Sequence, residues 1–201
     1  MSDSSAPTIF TIGHSNRELV EFTDLLEEQG IERLIDIRAF PGSRRNPHFG
    51  TDALADSVHA LAMEYVHLRD LGGRRRTPAD APGIGCGDAW RNASFRSYAE
   101  YVQSPEYEQA LDELIAMAGE QRVAIMCSEA VPWRCHRWLV SDTLVARGIR
   151  VVHVLSSAEP RLHQISSFAK VTGEHVTWPG PESTASLKLG PPVSETAAQA
   201  S

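Results

Sequence analysis

Short apolar runs alternate with amphipathic stretches along most of this chain. Between the runs, apolar positions recur every three or four residues, as at Tyr107, Leu111 and Leu114, and this spacing predicts helices. The apolar runs are rich in β-branched and aromatic residues and predict five strands. They span residues 8–12, 31–37, 65–68, 122–127 and 149–155.

The second run shows how these strands are buried. Leu34, Ile35 and Ile37 place apolar side chains on both faces of the strand, which is typical of a parallel sheet covered by helices on each side. Strands that alternate with helices predict an α/β fold. We therefore expect a single three-layer domain over residues 8–178, in which a mainly parallel five-stranded sheet is flanked by helices.

Three segments interrupt the regular pattern. The first helix is expected to follow the first strand, with Asn16 as its cap and Gly30 at its end. Residues 69–92 contain paired glycines, three consecutive arginines and two prolines, and this length and composition predict a lid or binding loop. Residues 179–201 are rich in Pro, Ser, Ala and Thr, which predicts a disordered tail.

Composition indicates the cellular compartment of the protein. No apolar run approaches the roughly 20 residues needed to cross a bilayer, and the first residues lack the basic and apolar parts of a signal peptide. The three cysteines, Cys86, Cys127 and Cys135, are too few and odd in number for a disulfide framework. We expect a cytoplasmic protein with no membrane partner, and the sequence leaves its oligomeric state open.

The formal net charge of -7 argues against a protein that coats nucleic acid without selectivity. The charge is nevertheless uneven, because the segment from Arg38 to Arg96 carries nine arginines against six acidic residues. A small anionic ligand would be attracted to such a segment. The chain also has 17 arginines against two lysines, so overall composition remains an alternative explanation of this bias.

Polar side chains follow the predicted strands at the points where they end. The carboxyl ends of parallel strands meet at one edge of a sheet, and ligands bind in the crevice there. Guanidinium groups at this edge suit carboxylates and phosphates. We predict that substrate is bound by Ser15, Asn16, Asp36, Arg38, Ser43, Arg44, Arg74, Arg75 and Arg137.

The stretch CSEAVPWRCHR, residues 127–137, concentrates the reactive groups. Glu129 leaves the fourth strand, and Cys135 and His136 fall at the start of the next helix, where the helix dipole lowers the pKa of a thiol. A carboxylate can act as general base or nucleophile and a thiolate as nucleophile, and the sequence does not choose between them. The catalytic candidates are Glu129, His136, His14 and Cys135.

A metal site in the same stretch would use Cys127, Cys135 and His136. Their spacing matches no common zinc pattern, and neighbouring residues on a helix point in different directions. We therefore predict no metal and no cofactor. Cys127 ends an apolar strand, which favours a packing role for it.

Five ordered motifs resemble a family of domains of unknown function, family 488. The resemblance covers about residues 8–156 and implies a single α/β domain with a polar pocket near the motifs, without a settled reaction. The motifs are TIGHSNR at 11–17, DIRAFPGSR at 36–44, LGGRR at 71–75, FRSYAEYVQSPEY at 95–107 and CSEAVPWRCHR at 127–137.

Three functions fit these residues. The first is an enzyme, a hydrolase or transferase that acts on a phosphorylated or nucleotide-like substrate through Glu129 and a histidine. The second is a protein that binds nucleotides or nucleic acid without catalysis, with Trp90, Phe95 or Trp133 stacking on bases. The third is a redox or metal sensor that uses Cys127 and Cys135.

Overall fold

The five expected strands form one sheet in a computed structural model, which describes residues 6–42, 46–75, 85, 87–158 and 160–180. The sheet order is β3-β2-β4-β1-β5, and all five strands are parallel, as predicted. Their bounds are β1 (Thr8–Gly13), β2 (Arg33–Asp36), β3 (Glu64–His67), β4 (Val123–Cys127) and β5 (Arg150–Val154).

Three short strands were missed by the sequence analysis. The strand β6 (Arg161–Leu162) pairs antiparallel with β5 and makes the sheet six-stranded, while β7 (Lys170–Thr172) and β8 (His175–Thr177) form a separate hairpin. Each has only two or three residues, too few for a recognisable apolar run. Residues 181–201 of the expected tail lie outside the described residues.

Helices cover both faces of the sheet, which confirms the three-layer α/β fold. The helices are α1 (Leu19–Glu28), α2 (Thr51–His59), α3 (Ala93–Tyr101), α4 (Pro105–Glu120) and α5 (Arg137–Ala146). Apolar side chains of α1 and α2 pack on one face, around Phe22 and Leu54, and those of α3, α4 and α5 pack on the other, around Tyr107 and Leu139. None of the helices in the described ranges has the length and apolar content that a membrane span requires.

Two helices begin in different ways. Helix α4 has Pro105 in its first turn, and the Ser104 hydroxyl accepts a hydrogen bond from the Tyr107 amide. Asn16 does not cap α1, which begins only at Leu19. The reason is a turn at the end of β1, where the Arg17 amide donates to the His14 carbonyl and Ser15 adopts a φ of 48°.

The strand order creates a crevice at one edge of the sheet. After β1 the chain crosses β4 to reach β2, whereas after β4 it crosses β1 to reach β5, with α1 and α5 on opposite faces. The carboxyl ends of β1 and β4 therefore lie side by side, with Gly13 opposite Cys127. Such a reversal of strand order is where open α/β sheets bind ligands.

A buried chain of hydrogen bonds attaches the segment after β5 to the core. Asp142 can only accept, so His163 donates to it from Nε2 at 2.9 Å, and His153 in turn donates from Nε2 to Nδ1 of His163 at 2.9 Å. The Thr11 hydroxyl donates to Nδ1 of His153 at 2.7 Å, at the other end of this chain of hydrogen bonds. Burial, followed by unfavourable electrostatic interaction with His163 and with nearby arginines, lowers the pKa of His153 to about 3.

The lowered pKa of His153 predicts a loss of stability in acid. Between pH 6.5 and about 3 the unfolded chain binds a proton at this histidine and the folded chain does not, so the free energy of unfolding falls as the pH falls. Each pH unit costs about 1.4 kcal/mol. We expect urea denaturation of His153→Gln to show a shallower pH dependence than wild type in this window and the same dependence above it.

His59→Gln is the matched control, because His59 is exposed at the end of α2. Its pH dependence should follow that of wild type. Parallel curves for wild type and His153→Gln below pH 6.5 would show that His153 is not held neutral by the fold.

Candidate functional site

A cavity of about 480 Å³ lies at the carboxyl ends of β1, β2 and β4. Its volume is in the range of small-molecule sites. The structure brings most of the predicted site residues to its wall. From the sequence prediction, the wall contains His14, Ser15, Arg38, Arg74, Glu129, Cys135 and His136.

Four other predicted residues lie away from the cavity wall. Asp36 and Arg137 are fully buried behind it, and Asn16 is exposed beside Ser15. The guanidinium of Arg75 lies 3.8 Å from the Tyr101 ring and donates to three backbone carbonyls. The predictions for Ser43 and Arg44 fall outside the described residues.

A buried ion pair fixes Arg38 in one wall of the cavity. Its Nε lies 2.8 and 3.0 Å from the two carboxylate oxygens of Asp36, and its second guanidinium nitrogen also donates to Asp36. The Tyr65 hydroxyl donates to the same carboxylate at 2.7 Å. With these contacts made, Asp36 holds the guanidinium of Arg38 in a single orientation beside the cavity.

His14 is a neutral hydrogen-bond acceptor for Arg38. Its Nδ1 lies 2.9 Å from the carbonyl oxygen of Ser15, which can only accept, so Nδ1 carries the proton. Nε2 then accepts from Arg38 at 3.4 Å. The ring stacks on Phe49 at 4.2 Å, and burial, aided by the charge of Arg38, lowers the pKa of His14 to about 4.

Two thiols and an imidazole, Cys127, Cys135 and His136, form what we call the thiol–imidazole cluster. Nδ1 of His136 lies 3.6 Å from the sulfur of Cys135 and 3.8 Å from that of Cys127. Nε2 of His136 donates to the Ile37 carbonyl at 3.2 Å, so the neutral ring has its lone pair on Nδ1, facing both sulfurs.

The local backbone explains why the sequence argument against this cluster fails. A short 3₁₀ helix, Pro132–Arg134, ends at Cys135, whose backbone is extended with φ -136° and ψ 150°. Cys135 is therefore outside helix α5, and its side chain is free to point the same way as Nδ1 of His136. The premise that the two neighbours diverge on a helix is wrong. Cys127 is buried as expected, but its sulfur contacts reactive groups.

Arg137 supports the cluster from behind. Its backbone amide and its Nε donate to the sulfur of Cys135 at 3.5 and 3.4 Å, and it also donates to the backbone carbonyl of Glu129. Burial raises the pKa of Cys135, but the hydrogen bond with Cys127 and the charge of Arg137 outweigh it and lower that pKa to about 6. The contact with Cys135, followed by burial, raises the pKa of Cys127 to about 12.

Glu129 lines the cavity, and its carboxylate has no hydrogen-bond or ion-pair partner among the described residues. The nearby arginines are engaged elsewhere, since Arg137 contacts only the backbone carbonyl of Glu129 and Arg38 pairs with Asp36. The side chain is exposed. A carboxylate in this position is free to contact a bound molecule.

Two residues on the wall have a strained backbone. Ser15 and Arg74 adopt φ values of 48° and 58°, in the left-handed region that side chains other than glycine rarely enter. Strain of this kind accumulates at functional sites, where the surrounding structure enforces it. Both strained residues face the cavity, while the third described case, Ala62, follows helix α2.

Sequence reasoning missed several residues of the wall that lie far from the strand ends along the chain. The motif FRSYAEYVQSPEY contained the signal for one of them, Tyr98, which is buried and donates to the Leu71 carbonyl at 2.6 Å. The missed residues include Asn46, Asn92, Ser94 and Tyr98.

Comparison with known proteins identifies one family. The profile described as Domain of unknown function DUF488 matches residues 18–144, which is more than half of the chain. The matched region runs from the start of α1 into α5 and includes the thiol–imidazole cluster, Arg38 and Glu129. No curated protein and no solved structure matches the chain.

Removal of the Asp36 carboxylate should be strongly destabilising. We expect Asp36→Ala to lower the free energy of unfolding by about 3–5 kcal/mol, because Arg38 would remain buried without a counterion. Tyr65→Phe keeps the ion pair and removes one hydrogen bond, so it should cost about 1 kcal/mol. Urea denaturation of both variants measures the difference, and equal losses would contradict this role for Asp36.

Proposed function

The chain belongs to the DUF488 family, and we propose that it is an enzyme, a hydrolase or transferase that acts on a phosphorylated or nucleotide-like substrate in the cavity. The observation that supports the proposal most directly is the combination of an arginine-rich wall with one unpaired carboxylate, Glu129. The family assigns no reaction, so the chemistry is argued from the groups on the wall.

Charge on the wall favours an anionic substrate. Arg38, Arg74 and Arg134 face the cavity, and Glu129 is the one carboxylate among the described lining residues. Arg38 is 6% exposed and is held rigidly by Asp36, whereas Arg74 and Arg134 are exposed at the rim. One buried, fixed guanidinium and two exposed ones in the same wall are well suited to bind phosphate, since guanidinium groups donate paired hydrogen bonds to its oxygens.

Glu129 is the proposed general base. In the proposed step its carboxylate takes the proton from a water molecule or substrate hydroxyl as that oxygen attacks the electrophilic centre. The bond from that centre to the leaving group breaks, and the leaving group accepts a proton from solvent or from a cavity residue. Transfer to water gives hydrolysis, and transfer to a hydroxyl gives a transferase.

The remaining catalytic candidates have distinct proposed roles. His14 is neutral and accepts from Arg38, so it positions the anion-binding guanidinium, and Ser15 presents its hydroxyl beside it. Cys135 and His136 also line the cavity, with the Cys135 sulfur 3.6 Å from Nδ1 of His136. Substrate would lie beside both groups, within reach of Glu129.

Binding of nucleic acid without catalysis is the alternative. Two of the aromatic residues expected to stack on bases pack instead on each other, because the Trp90 and Phe95 rings lie 4.8 Å apart and Phe168 covers Trp90 at 5.0 Å. Trp133 remains 44% exposed. This arrangement offers less stacking surface than the sequence implied, so we favour the enzyme.

Glu129→Gln should separate catalysis from binding. A panel of nucleoside mono- and diphosphates is incubated with the full chain, and release of inorganic phosphate and of free base is measured. We expect wild type to consume at least one compound, and the variant to lose roughly 100-fold or more in kcat with little change in KM, since general bases contribute at least that much.

Glu28→Gln, an exposed carboxylate at the end of α1, is the matched control and should behave as wild type. The enzyme proposal fails if no compound is consumed and a labelled single-stranded oligonucleotide binds instead in a salt-sensitive manner. Equal turnover by wild type and Glu129→Gln would remove Glu129 from the mechanism.

Arg74→Ala tests the anion-binding wall. Because Arg74 is exposed and neutralises charge on the bound substrate without taking part in bond breaking, we expect KM for the consumed nucleotide to rise several-fold with kcat almost unchanged. Arg150→Ala removes an equally exposed arginine at the opposite edge of the sheet and should leave both constants unchanged. A fall in kcat alone for Arg74→Ala would contradict a binding role.

A further inference from the structure

We propose that the thiol–imidazole cluster is a zinc site in which Cys127, Cys135 and His136 provide three ligands and the cavity provides the open fourth position. This inference goes beyond the proposed function, since metal binding is measured without any substrate. It replaces the sequence-based expectation that the chain holds no metal.

The distances between the ligand atoms are close to those of a tetrahedral site. Zinc binds sulfur at about 2.3 Å and imidazole nitrogen at about 2.0–2.1 Å, so two such ligands at a tetrahedral angle lie about 3.5 Å apart. Nδ1 of His136 is 3.6 and 3.8 Å from the two sulfurs, and all three atoms lie within 4.8 Å of one another. Shifts of about 1 Å or less would bring them around one ion.

His136 already has the tautomer and orientation of a metal ligand. Histidine ligands usually donate their other ring N–H to a backbone carbonyl or carboxylate, which fixes the ring and directs the lone pair at the metal. Nε2 of His136 makes such a bond with the Ile37 carbonyl at 3.2 Å. Among the described residues, the lone pair on Nδ1 contacts only the two sulfurs.

Hydrogen bonds to Cys135 favour its anionic, metal-binding form. The backbone amide and Nε of Arg137 both donate to the Cys135 sulfur, and donors of this kind support thiolate ligands. The guanidinium of Arg137 is fully buried, and no carboxylate pairs with it within the described part of the chain. Its third nitrogen has no hydrogen-bond partner there. The Cys135 sulfur, in its anionic form, therefore provides the negative charge that stabilises the buried guanidinium of Arg137.

Gly73 lets the backbone approach the His136 ring closely. A Cβ atom at this position would lie 2.9 Å from Nδ1, 3.2 Å from Cγ and 3.4 Å from Cε1 of His136, above the face of the ring. A larger residue would therefore push the ring out of the orientation that directs Nδ1 at the two sulfurs. All three ligand residues also line the cavity, so a zinc ion there keeps one position for water or a substrate oxygen. Three protein ligands with an open position are typical of catalytic zinc, which polarises a bound oxygen.

The first measurement is the metal content of the full chain purified without chelators. We expect about one zinc per chain by elemental analysis. After the metal is stripped, Co²⁺ should restore a tetrahedral spectrum with a thiolate-to-cobalt charge-transfer band. Zn²⁺ affinity, measured against a chromophoric chelator, should fall by at least roughly 100-fold in Cys127→Ser, in Cys135→Ser and in His136→Ala.

One further variant with its controls keeps the test decisive if a ligand variant does not fold. Gly73→Ala retains all three ligands, but its Cβ would displace the His136 ring, so it should weaken Zn²⁺ binding and reduce the rise in Tm that Zn²⁺ gives to wild type. Gly119→Ala is the matched control, because a Cβ there contacts no described atom within 4 Å, and it should bind like wild type. His59→Ala controls for the loss of an exposed histidine.

The proposal is overturned if stripped wild-type protein gives no charge-transfer band with Co²⁺, or if the three ligand variants bind Zn²⁺ as wild type does. Failure of the zinc site is distinguishable from failure of the enzyme. Protein that consumes nucleotide but binds neither Zn²⁺ nor Co²⁺ would overturn the zinc site alone, whereas stoichiometric zinc without turnover of any compound would leave the zinc site standing.

Discussion

Burial of Arg137 is the constraint on which the rest of the site depends. Its guanidinium lies beside Gly13, where a Cβ would be 1.8 Å from the Glu129 carbonyl oxygen and 2.7 Å from an Arg137 nitrogen. Hydrogen bonds from the guanidinium to that carbonyl and to the Cys135 sulfur hold residues 128–136 against the end of β1. A buried charge is tolerated only with such partners, so the loop and the helix start are fixed together.

A second buried group, built on Asp36, organises another part of the wall. Asp36 accepts from Arg38 and Tyr65, and Arg38 in turn donates to a neutral His14 stacked on Phe49. The two groups bring different chemistries to one cavity. Arg38 presents guanidinium N–H groups, which suit the anionic substrate that we propose, and the thiol–imidazole cluster presents sulfur and imidazole nitrogen, which suit the zinc ion that we propose.

Much of the candidate site could be predicted because strand ends in a parallel sheet share an edge. This rule correctly brought His14, Arg38, Glu129 and His136 to one cavity. It could not separate residues on the wall from those behind it, and Arg137 and Asp36 proved to be fully buried supports. The difference depends on side-chain direction at the strand end, which is decided by the turn that follows each strand.

The sequence by itself determined the elements and the fold class, because apolar periodicity records which faces of each strand and helix are buried. It did not determine that β4 lies between β1 and β2, or that Cys135 is extended rather than helical. Those features depend on contacts between distant segments and on single backbone torsions, neither of which leaves a periodic signal. Only the tertiary structure therefore decided that Cys127, Cys135 and His136 meet, and which nitrogen of His136 faces the sulfurs.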